Sequence, residues 1–155
     1  MLIIAHRANI SGPAPETENS PQAIREALDL NFHVEVDVWM VKNRVYLGHD
    51  APKYHVDEPL ALLKRPEVWA HAKNHAALVW CLGNGIRTFA HDADPYVFTS
   101  DGYIWCHLHL PPPESGYTDR HIVVRNAEHY VSPVVLRLAG GVCTDYPMMY
   151  RLAFD

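Results

Sequence analysis

Short apolar runs separated by polar breaks fill the chain, and most of the runs have the length of a strand. Leu2 to Ala5 is the first, followed by His6-Arg7 and a loop rich in Ser, Gly and Pro. Asn19 or Ser20 ahead of Pro21 predicts a helix start, and Ala23, Ile24, Ala27, Leu28 and Leu30 supply its apolar stripe. Asn31 is suited to end it in a left-handed cap. From His33 the period changes to two. Val34, Val36 and Val38 alternate with Glu35 and Asp37, so one face of a strand carries both carboxylates. Residues 45–48 pair back as a hairpin arm. Residues 51–66 read as a polar connection with a helical turn near Leu60 to Leu63. Further strands are predicted over 67–72, 86–90, 96–99, 102–107, 121–124 and 141–144. Helices are predicted from Asn74 to Leu82 and over 128–138.

Polar residues repeatedly follow the C-terminal ends of these eight strands, a pattern that suggests a parallel barrel with its site gathered at that face. A full (β/α)8 barrel takes about 250 residues, and this chain has 155. The expectation is therefore an α/β fold: a shortened or distorted TIM-like barrel with several helices missing, formed by one domain over residues 1–155. A compact open α/β sheet is the alternative. A reduced barrel can leave apolar flanks that a second copy would cover, so a homo-oligomer is a possible state.

Composition narrows the function classes. The net charge of −5 argues against a nucleic-acid binder that works by neutralising phosphates. No apolar run approaches the roughly 18 residues needed to span a bilayer. The first five residues are too short for a signal-peptide core, so a cytoplasmic location is expected. Cys81, Cys106 and Cys143 form no CxxC pair and read as buried small hydrophobes. Eleven histidines are many for this length, and several close apolar runs.

An acidic pair on one strand face repels itself unless a cation or a proton intervenes. A solvated strand face is the plain alternative. His49-Asp50 and His6-Arg7 tip the balance, and Glu35 and Asp37 read as metal ligands. Other candidates carry less. His91-Asp92 and Asp94 either line a site mouth or sit in a solvated loop. His107-Leu108-His109 alternates like a zinc-binding strand but reads better as a loop pair. Trp105 and Tyr103 read as core, with Trp105 a possible pocket wall. Asp145 is placed to hold Lys73 or Arg7. His33, His55, His75, His121 and His129 read as surface or structural.

The order His6-Arg7, Glu18-Asn19-Ser20, Glu35-Val36-Asp37 and His49-Asp50 resembles the glycerophosphodiester phosphodiesterases. Residues 141–147, Gly-Val-Cys-Thr-Asp-Tyr-Pro, look like that family's last strand, while the middle of the chain is far shorter. The resemblance implies that Glu35 and Asp37 bind a divalent cation and that His6 and His49 are general base and acid. It implies that Arg7 contacts phosphate and that Glu18 joins the polar surroundings of the site. The family's third metal ligand is a glutamate two residues before a lysine. Here that lysine is Lys73, and His71 replaces the glutamate. Mg²⁺ and Ca²⁺ prefer oxygen donors, whereas a histidine shifts preference toward Mn²⁺, Fe²⁺ or Zn²⁺. Alternatively His71 only lines the pocket. The implied activity is cleavage of a small phosphodiester, by water or by an internal hydroxyl that leaves a cyclic phosphate. A degenerate barrel that binds a phosphorylated ligand without turnover is the non-enzymatic alternative.

Overall fold

Strand β2 (His33–Val41) organises the molecule. Its alternation sends Val34, Val36 and Val38 outward, where all three are completely buried under helices. Burying such a side chain contributes about 1.5–3 kcal/mol. A slip of one residue would turn the valines inward and drive both carboxylates into the helix layer, so the register is strongly fixed.

The computed structural model describes residues 1–107, 116–125 and 136–154. His109, His129, the run Pro111 to Pro113 and most of the helix expected over 128–138 lie outside the described residues. Ten strands form one curled sheet. β1 (Leu2–Ala5) pairs in parallel with β2 and with β10 (Gly141–Thr144). β10 continues to β9 (His121–Val124) and β8 (Ile104–Cys106), again in parallel. On the other side β2 pairs with β5 (Val68–Ala72), and β5 with β6 (Thr88–Phe89). Three pairings are antiparallel. β3 (Arg44–Leu47) folds back on β2, β4 (Tyr54–His55) adds to β3, and β7 (Tyr96–Phe98) adds to β8.

The architecture is mixed α/β, as expected, but the sheet is not a closed barrel. β6 has only two residues and β7 turns antiparallel, so no ladder joins β6 to β8. The seam is bridged instead by the Ser100 N–H on the Thr88 carbonyl (2.8 Å) and by Phe89 stacked on Trp105 (4.5 Å between centroids). Ile4, Trp69, Phe89, Trp105, Ile122, Val124 and Cys143 fill the concave side.

Four helices are present among the described residues. α1 (Pro21–Asp29) starts as predicted, with the Ser20 hydroxyl accepting from the Ala23 N–H, and Asn31 follows it at φ +59. α2 (Pro59–Leu63) is the expected turn. α3 (His75–Gly83) is capped by Asn74, whose amide also donates to the Met40 carbonyl and so ties the helix to β2. The fourth, α4 (Pro147–Phe154), is not among the expected elements; Tyr150 anchors it against Val123, Leu136 and Val142. No helix among the described residues is long and apolar enough to cross a membrane.

Candidate metal centre and active site

The parallel register carries the inward positions of β2 into its neighbour. Glu35 lies beside Trp69 and Asp37 beside His71, with Lys73 at the next inward position of that chain segment. The His71 Nδ1 sits 2.9 Å from Asp37 Oδ1 and 3.8 Å from Glu35 Oε1. Donor atoms of all three lie within 4.8 Å of one another and are buried. Two ligands on one ion at about 2.0–2.2 Å stand roughly 3–3.5 Å apart, so with small side-chain shifts the donor set could hold a divalent cation.

Charge is distributed unevenly around the pair. Asp37 is close to Lys73 Nζ (3.4 Å) and Arg7 Nε (3.7 Å) and accepts from the Asn19 amide (2.9 Å). Burial would raise its carboxyl, but His71, Lys73 and Asn19 together hold it far below the usual range. Glu35 faces the opposite balance. Burial and the adjacent Asp37 push it up, and the Arg7 backbone N–H (3.0 Å) and His6 Nε2 (4.0 Å) compensate only in part.

His6 and Arg7 leave β1 in a single tight helical turn. Arg7 and Ala8 both hold positive φ (+52 and +64), a conformation that costs about 1–3 kcal/mol for non-glycine residues. The turn aims the Arg7 N–H at Glu35. The three residues Glu18-Asn19-Ser20 serve three different ends. Glu18 accepts from Arg7 (3.2 Å), Asn19 grips Asp37, and Ser20 caps α1. The grip is double, because the Asp37 N–H donates to Asn19 Oδ1 at 2.8 Å.

His49 is delivered by the β2–β3 hairpin. Gly48 holds φ +147, and a Cβ there would overlap the Ala51 carbonyl. The Gly48 carbonyl accepts from the Trp39 indole (2.7 Å), and its N–H donates to the Asp37 carbonyl (3.1 Å). The His49 Nδ1 pairs with Asp50 at 2.7 Å, although Asp50 itself stands in solvent.

These groups meet in a cavity of about 350 Å³. His6, Arg7, Glu35, Asp37, His49, His71 and Lys73 all line it, so seven residues scattered through the first half of the sequence come together. Glu18 does not reach the cavity surface but supports Arg7 from behind. The opposite wall is aromatic: Phe89, Trp105, His91 and His107, with Asp92 and Val124. Trp105 is thus both core and wall. Burial and the neighbouring His71 and His107 push His91 down to about 4, so it is neutral near pH 7.

Comparison with protein-family models, with curated proteins and with solved structures finds no match.

Asp145 corrects the sequence reading. It bonds neither Lys73 nor Arg7 but His6, Nδ1 to Oδ1 at 2.9 Å, and it accepts from Asn9 at 2.8 Å. Parallel pairing of β1 with β10 places the two strand ends side by side, a neighbourhood 139 positions apart in sequence. Asn9 and the double grip of Asn19 also escape sequence reasoning, since loop amides leave no periodic signal. Burial opposes the charged His6, yet Asp145 and Glu35 raise it above its ordinary 6.5. The His6 bond holds Asp145 below its ordinary 3.8. A raised histidine stabilises fully below its unfolded value and less as pH rises through its folded one. A lowered carboxyl stabilises fully above its unfolded value and less as pH falls through its folded one. Asp145→Asn should therefore cost about 1–2 kcal/mol between roughly pH 4 and 6.5. The difference should shrink above that window. Urea denaturation of both proteins at pH 5.5 and pH 9 measures this, and equal differences at the two pH values would contradict it.

Proposed function

We propose that this protein is a metal-dependent phosphodiesterase acting on a small glycerophosphodiester-like substrate. The sheet is read as a reduced TIM-like barrel whose parallel strands direct their C-terminal ends toward the site. The observation that carries the reading is the convergence of two buried carboxylates, His71, two further histidines and two cationic side chains on one cavity. A pure binding site for phosphate has little use for two adjacent buried carboxylates, which would repel the ligand.

Glu35, Asp37 and His71 would hold one divalent cation, and the mixed oxygen and nitrogen donors favour Mn²⁺ or Zn²⁺ beside Mg²⁺. Once bound, the ion supplies positive charge at the phosphoryl oxygens. Arg7 and Lys73 bind the remaining non-bridging oxygens, Arg7 through its planar fork and Lys73 as a point charge. The His6 Nδ1–H donates its hydrogen bond to Asp145, which leaves Nε2 turned toward the Glu35 side of the cavity. His6 and His49 form the acid–base pair: one accepts the proton of the attacking hydroxyl and the other protonates the departing oxygen. The aromatic wall receives the alcohol portion.

The test is to strip the protein with chelator and assay bis-p-nitrophenyl phosphate and glycerophosphodiesters with Mg²⁺, Ca²⁺, Mn²⁺ and Zn²⁺. Turnover restored by one of these ions is expected. Phosphorus NMR of the product tells water from an internal hydroxyl as the nucleophile. Binding of a phosphodiester without any metal-restored turnover would overturn the enzymatic reading in favour of a ligand-binding barrel.

A further inference from the structure

Two connections that serve the site meet outside the cavity. The β1–α1 connection, residues 9–20, carries Glu18 and Asn19, the partners of Arg7 and Asp37. The β3–β4 connection, residues 48–53, carries His49. The Tyr54 hydroxyl donates to the Glu16 carbonyl at 2.7 Å. The Lys53 ammonium donates to the same carbonyl at 3.2 Å and to the Pro15 carbonyl at 3.3 Å. It also lies 4.9 Å from the centroid of the Tyr54 ring. None of these four residues lines the cavity.

We infer that Tyr54 and Lys53 are positioning residues that clasp the β1–α1 connection to the β3–β4 connection and thereby fix His49 for proton transfer. The inference rests on the phosphodiesterase reading above. Each connection is folded tightly enough to carry a displacement from the clasp to a functional side chain. On one side the Thr17 and Glu18 N–H groups both donate to the Ala14 carbonyl, so Glu16 sits inside a closed turn two residues from Glu18. On the other side the Lys53 N–H donates to the Leu47 carbonyl at 2.9 Å and closes the loop that holds His49. The loop has no slack there, because a Cβ on Gly48 would stand 3.1 Å from both Lys53 Cβ and Lys53 N. The stem of this loop is pinned to β2 through Gly48, while its far end is tied to Pro15 and Glu16.

A general acid or base works only within hydrogen-bond reach of its proton, and a shift of about 1 Å can cost up to 10²-fold in rate. The His49 ring pairs with Asp50, which stands in solvent and offers little restraint. Restraint comes from the backbone on either side of it, and the clasp supplies the outer half.

The experiment compares Tyr54→Phe and Lys53→Met, each alone and in a His49→Ala background. Both assay substrates are used, with the metal that restores turnover. Both changes lie on the surface and keep the bulk of the side chain. Each should lower kcat by about threefold to tenfold, the scale of one hydrogen bond, with KM within about twofold. In the His49→Ala background the same change should cost less than about twofold, as expected of residues acting through one group. Amide exchange at Thr17, Glu18 and Lys53 should quicken together by about threefold or more in Tyr54→Phe. Faster exchange with unchanged kcat would overturn the positioning role and leave the phosphodiesterase reading standing. An equal loss with and without His49 would overturn it too, by routing the effect through Arg7 and Glu18. Unchanged kcat and exchange in both variants would dismiss the clasp itself. Near-normal turnover of His49→Ala with Tyr54 and Lys53 intact would instead remove His49 from the reaction, and the positioning role with it.

Discussion

Glu35→Gln is expected to cut metal-dependent turnover by about 10³-fold without destabilising the metal-free protein. In the metal-free state the Glu35 carboxylate is buried, lies beside Asp37 and is pushed up in pKa by both facts. A carboxyl whose folded value is raised weakens the fold as pH climbs through that value, the reverse of the Asp37 case. Glutamine keeps an oxygen for the Arg7 N–H and removes the charge, so metal-free stability at pH 7 should hold or rise. Asp37→Asn works in the opposite direction. It strips the partner from Lys73, His71 and Arg7 at once and should cost about 3 kcal/mol or more, since breaking a buried ion pair leaves charges uncompensated. Both variants should lose about 10³-fold in activity, equivalent to about 4 kcal/mol of transition-state charge stabilisation. Saturating metal at about 100 times its Kd should add about 2.7 kcal/mol to the wild type and nothing comparable to either variant. Thermal denaturation with and without metal measures all of the stability changes. A metal-free Glu35→Gln protein clearly weaker than wild type would refute the idea that these two carboxylates are held against their own repulsion.

The second large effect concerns the histidines. His6→Ala and His49→Ala should each reduce kcat by about 10²–10⁴, the usual contribution of a general acid or base. Their double variant should fall far short of the product of the two losses, because residues that act as a unit are not additive. The two can be told apart by leaving group. A nitrophenolate departs without needing a proton, so loss of the general acid should hurt a nitrophenyl ester much less than a glycerophosphodiester. Loss of the base should hurt both alike. Steady-state kinetics on the two substrates assigns the roles. Near-normal turnover in either single variant would remove that histidine from the reaction.

Much of this arrangement can be read in the residues themselves, because its central element is a strand with period two. Val34, Val36 and Val38 against Glu35 and Asp37 fix both the register and the direction of the carboxylates. Ser20 and Asn74 mark their helices for the same kind of reason, since a cap is a local event. What the chain conceals is what depends on which strand lies next to which. Asp145 meets His6 only because β10 returns beside β1. The ring stack on His71 depends on β5 pairing with β6 in a register that sets Phe89 beside it. The open seam follows from a connection too short for a crossover helix, which the lengths anticipate, and from the antiparallel turn of β7, which they do not. α4 escapes notice because Pro147 opens it directly after the last strand and its apolar positions read as a tail.

The sheet divides its labour unequally. Among the described residues, every charged side chain that contacts Glu35 or Asp37 comes from β1, β2, β5 or the residues just beyond them. Among the described residues, the arc from β6 to β9 gives the cavity rings and aliphatic groups, apart from Asp92. If the proposed function holds, changes confined to that arc should alter which alcohol group the cavity admits while leaving the charges around Glu35 and Asp37 in place, because the two tasks would reside in different arcs of one sheet.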